Sequence, residues 1–489
     1  MRRAVVAIGV VLVVLVAVVV ARTLAHAPHA PGSRAENTGE TLPQISVDTD
    51  AAASRLARGL TFETISLGEG VPVDPEAFRA FQQHLAESYP LVHAQLARET
   101  IAGHSLLFTW QGSDPALEPA MLMAHQDVVP VDQASWKQPP FGGRIVDGEL
   151  WGRGAIDDKG ALFSIFEAVE LLLADGWKPT RTLYLFFGHD EEVGGTGAAA
   201  AASQLAARGV RLAWVLDEGG LVVQGMIPGI EVPVALVGVA EKGFVTLQLD
   251  LETEGGHSSL PPRHTGIGIM SQAVNRLELN PMPGGIDGTT RDFLEALAPE
   301  LPLAFRAVLS NLWLTGSLVE AIMDGNPALD AMQRTTTAVT MIDGGVKSNV
   351  LPSHVRATVN FRVRPGDTVE QVREHVRETI DDERIALTLE TGTEASQISP
   401  VDSESYALIA RTIGEIFPEA GVVPYVVVGG TDARNFYSVT PNVFRFNPFR
   451  FGPETVTLAH GTDERVPVAQ LPDAIRFYVR LIRNANGGG

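Results

Sequence analysis

Short apolar runs that stop at a polar residue alternate along this chain with segments of helical period. Residues 120–124 form such a run and end at His125. Residues 182–187 lead into His189-Asp190-Glu191-Glu192, and 212–216 end at Asp217. Apolar runs of this length, without alternation, suit strands buried on both faces of a parallel sheet. Residues 160–175 and 198–208 read as helices between them. Residues 78–98 read as an amphipathic helix ahead of a strand at 105–110. The order predicts an α/β core with a mainly parallel sheet. Open sheets of this kind bind ligands at the carboxyl ends of their strands, and here those ends collect His, Glu and Asp.

The texture changes near Lys242. Residues 244–251 alternate as a half-buried strand does. A helix at 265–278, strands at 336–342 and 355–363, a helix at 368–381 and a strand at 385–389 follow. This βαββαβ order predicts an inserted α+β domain over 243–393. The first pattern returns with a helix at 403–416, a strand at 424–428 and a helix at 470–484, so the main domain is expected to comprise 48–242 and 394–485. Residues 280–333 exceed what a small inserted domain needs. Their apolar residues, Leu303, Phe305, Leu312, Trp313 and Leu314, are expected as buried core of that domain, with the lining of an acyl pocket as the alternative.

At the N-terminus, Arg2 and Arg3 precede an apolar run over 4–21. Its length is near the minimum that spans a bilayer and long for a cleavable signal. Residues 1–25 are therefore expected as a membrane anchor with the body outside the cytoplasm. Cleavage near Ala25-His26-Ala27, giving a secreted or periplasmic protein, is the alternative. Residues 26–47, rich in Ala, Pro, Gly and Ser, read as a linker. The formal charge of −21 argues against nucleic-acid binding. With no cysteine in the chain, any metal must be held by His, Asp and Glu.

Candidate chemistry follows from that restriction. His125 is followed two residues on by Asp127, which can accept its second ring N–H. Asp157 and Asp158 sit among glycines at a helix start. Glu191 and Glu192 are adjacent, so one can bind a metal while the other acts as general base for an attacking water. Asp217 ends a strand, and His460 lies late in the chain. Taken singly, these residues also suit a buried structural histidine, helix caps or an acidic loop. Together His125, Asp157, Glu192, Asp217 and His460 supply two imidazoles and three carboxylates, enough for two divalent ions if Asp157 bridges.

The segments MAHQDVVPV at 123–131, GRGAIDDKG at 152–160, HDEEVGG at 189–195, LDEGG at 216–220 and AHGTDE at 459–464 resemble the M20 family of metallopeptidases and amidohydrolases, in particular its carboxypeptidase S-like and N-acyl-amino-acid hydrolase branch. The resemblance runs from about residue 48 to 485. It implies a zinc-exopeptidase-like catalytic domain with an inserted lid. It implies two ions, zinc first with manganese or cobalt as alternatives, one held by His125 and Asp217 and the other by Glu192 and His460, with Asp157 bridging. It implies Glu191 as base, Asp127 as the group that orients His125, and a cis peptide at Asp157–Asp158. In the lid it implies His257 as an oxyanion stabiliser and Asn349 and Arg362 as substrate-binding residues. The loop with Gly430, Thr431 and Arg434 would hold a substrate carboxylate. The expected activity is hydrolysis of the amide bond of N-acyl amino acids or short peptides with a free carboxylate. A dipeptidase or carboxypeptidase, and a non-catalytic binding protein on the same fold, are the alternatives. A homodimer through the lid is left open.

Overall fold

The computed structural model describes residues 2–26, 45–226, 230, 232–455 and 457–487. Most of the expected linker at 26–47 lies outside the described residues. Helix α1 (Arg2–Ala25) carries a segment, Val6–Ala25, long and apolar enough to cross a membrane.

The main sheet is built from β1 (Ala97–Ile101), β2 (Ser105–Trp110), β3 (Ala120–His125), β4 (Leu183–Gly188), β5 (Trp214–Asp217), β6 (Leu221–Val223) and β7 (Val234–Glu241). The lid contributes β8 (Gly243–Glu252), β9 (Thr336–Gly344), β10 (His354–Val363) and β11 (Ile385–Thr393). The chain then returns with β12 (Gly421–Val427), β13 (Val443–Arg445) and β14 (Arg450–Phe451). Strand order in the main sheet is β1-β2-β4-β3-β5-β13-β7-β6-β14, with β12 also paired to β7. The pairs β4–β3, β3–β5 and β5–β13 are parallel, and every residue of β3 and β5 is buried. Helices α2 (Lys159–Ala174) and α3 (Thr196–Ala207) connect these strands. Strands β1, β6, β7, β13 and β14 lie outside those expected from periodicity.

The lid sheet runs β9-β10-β8-β11, antiparallel throughout. It packs with α4 (Gly266–Leu279) around its own core of Val245, Leu247, Val359, Phe361 and Met270. The βαββαβ order is therefore present, interrupted between α4 and β9.

Two expectations change. The single helix expected over 78–98 is two, Pro75–Ser88 and Pro90–Gln95, and Ala97 and Arg98 already belong to β1. Pro90 has no N–H to continue the first helix. The stretch 280–333 forms α5 (Gly288–Leu297), α6 (Leu303–Leu309), α7 (Leu312–Asp324) and a short helix Pro327–Gln333. Its buried side chains, Phe293, Leu297, Leu309 and Leu312 among them, pack with Val223, Val234 and Val423 of the main sheet rather than with the lid core. Leu312 is buried, but Leu303, Phe305, Trp313 and Leu314 are exposed, so these four are not buried lid core.

Candidate metal centre at the strand ends

Strand β3 delivers His125 at its carboxyl end, fully buried. The ring is fixed from one side by Asp127: Nδ1 lies 2.9 Å from its carbonyl oxygen and 3.3 Å from Oδ1. The Asp127 carboxylate also accepts the Ser66 hydroxyl at 2.7 Å and the backbone N–H groups of Glu191 and Glu192, each at 3.2 Å. One buried carboxylate thus sets both the imidazole and the turn that carries the two glutamates.

That turn follows β4. Asp190 caps the start of α3 by accepting the Thr196 and Gly197 N–H groups at 2.8 and 3.0 Å, which anchors the loop behind Glu191 and Glu192. Gly188 opens it: a Cβ there would meet Asp432 Oδ2 at 2.1 Å, closer than atoms approach.

Asp157 lies at the head of α2, and the Asp157–Asp158 peptide is cis. Its Oδ1 is 2.9 Å from His125 Nε2, and its Oδ2 is 3.1 Å from His460 Nε2. Glu192 Oε2 is 2.9 Å from the same His460 nitrogen. Against its burial, the two imidazoles hold Asp157 well below the usual carboxylate range. His460, bonded to Asp157 and Glu192, is pushed up to about 10. Its backbone sits at φ 57°, the left-handed region that non-glycine residues adopt uncommonly.

Asp217 is the residue expected to share an ion with His125 at this strand end. Glu218 Oε1 lies 3.3 Å from His125 Nε2, whereas Asp217 Oδ2 turns away to accept the Ala433 N–H at 2.9 Å. Asp217 is the last residue of β5 and Glu218 the first beyond it. Burial pushes Asp217 up to about 6. His125, Asp158 and Glu218 form one close group of ligand atoms, and His125, Asp157 and Glu192 another.

Glu191, beside this cluster, is held well above the usual carboxylate range by burial and by the charge of Glu218. Burial likewise pushes Glu464 up to about 7. Glu464 was no more than part of a motif in the sequence, yet it fastens the loop leading to Asp157. Its Oε1 accepts the N–H groups of Ile156 and Asp157 at 2.7 and 3.2 Å, its Oε2 accepts that of Gly154 at 3.0 Å, and Arg153 pairs with it at 2.6 Å.

The lid residues stand apart. His257 is exposed, on a two-residue strand paired with Val350, and its Nδ1 is 2.7 Å from Ser259 Oγ. Asn349 lies next to it, its carbonyl accepting the Ser258 N–H at 3.2 Å. Arg362, on β10, lies over the Phe244 ring at 5.4 Å. The loop of Gly430, Thr431 and Arg434 meets the cluster's edge through Ala433. Thr431 donates to Glu241 Oε1 at 2.6 Å, as does the fully buried Arg445 at 2.7 Å, and Arg434 donates to the Glu394 carbonyl at 2.8 Å. Among the described residues, these contacts of His257, Asn349 and Arg362 stay within the lid.

Comparison with known proteins gives the family. The model of peptidase family M20/M25/M40 matches residues 121–484. The chain is 40% identical over 467 residues to mouse N-fatty-acyl-amino acid synthase/hydrolase PM20D1, covering 93% of this chain and 92% of that one. It is 33% identical over 468 residues to carboxypeptidase S of Saccharomyces cerevisiae, covering 84% and 80%. The M20 family metallo-carboxypeptidase Sso-CP2 of Sulfolobus solfataricus superposes with a TM-score of 0.63 at 18% identity, over 89% of this chain and 99% of that one. A family match that spans every strand end described above, from His125 to His460, leads to one conclusion: this chain belongs to peptidase family M20/M25/M40.

Proposed function

We propose that the chain is a dinuclear metal-dependent amidohydrolase acting on N-acyl amino acids, held by its N-terminal helix with the catalytic body outside the cytoplasm. One observation carries the metal reading. Two buried carboxylate oxygens beside the cluster, Glu192 Oε1 and Asp158 Oδ2, have no hydrogen-bond partner within the protein. Buried acceptors are ordinarily satisfied by a donor, a water or a cation, and next to two groups of His and carboxylate ligand atoms a cation fits. The donors are imidazole and carboxylate only, which suits zinc, manganese or cobalt. His125 and Glu218 would hold one ion, Glu192 and His460 the other, with Asp157 between them. When bound, such ions polarise the scissile carbonyl and make water more acidic. Glu191 takes the proton of the attacking water and delivers it to the leaving amine. His257, Asn349, Arg362 and the 430–434 loop would reach the substrate when the lid closes, with Arg362 or Arg434 clamping its carboxylate.

The substrate reading rests on the relatives. Mouse PM20D1 is named for N-fatty-acyl amino acids, while yeast carboxypeptidase S is named for peptides. Metal content of the purified chain, measured together with hydrolysis of matched N-acyl amino acids and dipeptides, tests both parts. Two ions per chain and faster cleavage of N-acyl amino acids are expected. A preference for dipeptides would make it a peptidase. No turnover and no metal after supply of zinc, manganese or cobalt would leave a binding protein.

A further inference from the structure

The exposed face of α6 and α7 carries an apolar surface. Leu303 and Phe305 on α6, and Trp313, Leu314, Leu318 and Ile322 on α7, are each more than half exposed. On α7 the exposed residues recur at intervals that follow one stripe of the helix. The opposite stripe, Leu312, Val319 and Met323, is buried against the main sheet. A helix apolar on both sides is found in a core or against lipid.

Charge is missing from this face as well. Between residues 302 and 323 the ionisable side chains are Arg306 and Glu320, and both turn inward. Arg306 donates to the Leu301 carbonyl at 3.0 Å, and Glu320 accepts the Ile286 N–H at 3.3 Å. An apolar surface of this kind on a soluble protein marks an interaction site.

The occupant follows from what lies next to it. The corner between α6 and α7 grips the last turns of α1: Arg22 Nε donates to the Ser310 carbonyl at 3.0 Å, Asn311 Nδ2 lies 3.3 Å from Thr23 Oγ1, and α1 packs on α6. Thr23 is buried in this contact. A bilayer that receives α1 is therefore brought to the α6–α7 corner. Trp313 suits that boundary, since its ring is apolar and its N–H bonds Asn311 Oδ1 at 3.3 Å.

We propose that the α6–α7 face seats in the outer surface of the lipid bilayer entered by α1, so that the body rests on the membrane instead of swinging from a tether. This rests on the anchor reading given above. It also places the enzyme where acyl chains of amphiphilic substrates partition.

The chain has no cysteine, so a single-cysteine variant of the full-length protein takes one label without background. Leu318→Cys, with Leu314→Cys as a second site should the first misfold, would carry an environment-sensitive fluorophore in phosphatidylcholine proteoliposomes containing spin-labelled lipid. Arg98→Cys on β1, the opposite edge strand of the sheet, is the control. A blue shift and several-fold stronger lipid quenching at 318 or 314 than at 98 are expected. Alkaline extraction of the same vesicles reads the anchor separately. Retention in alkali with labels at 318 and 314 as water-exposed as that at 98 would overturn the seating and keep the anchor. Release by alkali would remove the anchor reading, and the labels are then read with vesicles added at neutral pH, where lipid quenching supports the seating and its absence overturns it. A blue shift that depends on protein concentration and not on lipid would show a second copy on this face, and would also overturn the proposal.

Discussion

The Asp127 carboxylate accepts the backbone N–H of Glu191 at 3.2 Å, so the residue that fixes the His125 ring also fixes the proposed base. Removing it should disturb both at once. Asp127→Ala is expected to lower metal affinity or turnover by about 10–100-fold, the usual cost of losing a group that orients a metal-binding histidine. Metal titration alongside kcat checks this; a variant with unchanged affinity and unchanged kcat would refute the coupling.

Glu191→Gln keeps the size of the side chain and removes its basicity. Turnover should fall by at least about 100-fold, in the range typical of general-base removal, while two ions remain bound. Elemental analysis and single-turnover kinetics read the two halves separately. Normal turnover with normal metal would take the base role from Glu191.

Glu218 and Asp217 are neighbours with different surroundings. Glu218→Ala should lose one ion of the pair. Asp217→Asn, whose side chain can still accept the Ala433 N–H, should keep both. The opposite result in metal counts per chain would restore Asp217 as the ligand and would require the end of β5 to be turned over.

In the metal-free protein His460 is pushed up to about 10 by its bonds to Asp157 and Glu192, so it carries a proton at neutral pH. Metal ligation needs the neutral imidazole. Zinc binding at pH 7 should therefore release protons, and its affinity should rise with pH. Calorimetry in buffers of different ionisation enthalpy measures the number released; a buffer-independent enthalpy would contradict this.

Lys242 lies at the junction of the two domains, its ammonium donating to the Arg334 carbonyl at 2.8 Å, and burial lowers it to about 8 from its ordinary 10.5. The unfolded chain then binds more protons than the native one between these values. Stability contributed by this residue is reduced below pH 8 and recovers as pH rises toward 10.5, with a slope of at most about 1.4 kcal/mol per pH unit. Denaturant unfolding of the parent minus that of Lys242→Met should show this rise; a flat difference would place the lysine in water.

How much of this was legible in the sequence depends on what kind of signal each residue leaves. His125, Asp157, Glu192 and His460, which the structure brings together, each stand where an apolar run or a glycine-rich turn ends. Glu218 left no such sign, because LDEGG offers two adjacent acids, and spacing does not say which one approaches the imidazole. Glu464 works through backbone N–H groups of residues 154–157, a partnership that no spacing rule encodes. The helices α5–α7 could be recognised as apolar, but apolarity does not say which core they join. Hydrophobic pattern reports burial within an element, whereas domain membership is a matter of tertiary packing.

The fastening of the Asp157 loop by Glu464 orders events during synthesis. Strand ends carrying His125, Glu192 and Glu218 can form early on a growing chain, but the loop bearing Asp157 has no clasp, and His460 is missing, until residues 460–464 emerge. A ribosome-bound chain therefore holds scattered acids and no assembled centre. Hydrolytic power would arrive only near the end of biogenesis, together with the last helix, Leu471–Asn484, whose buried side chains complete the main core.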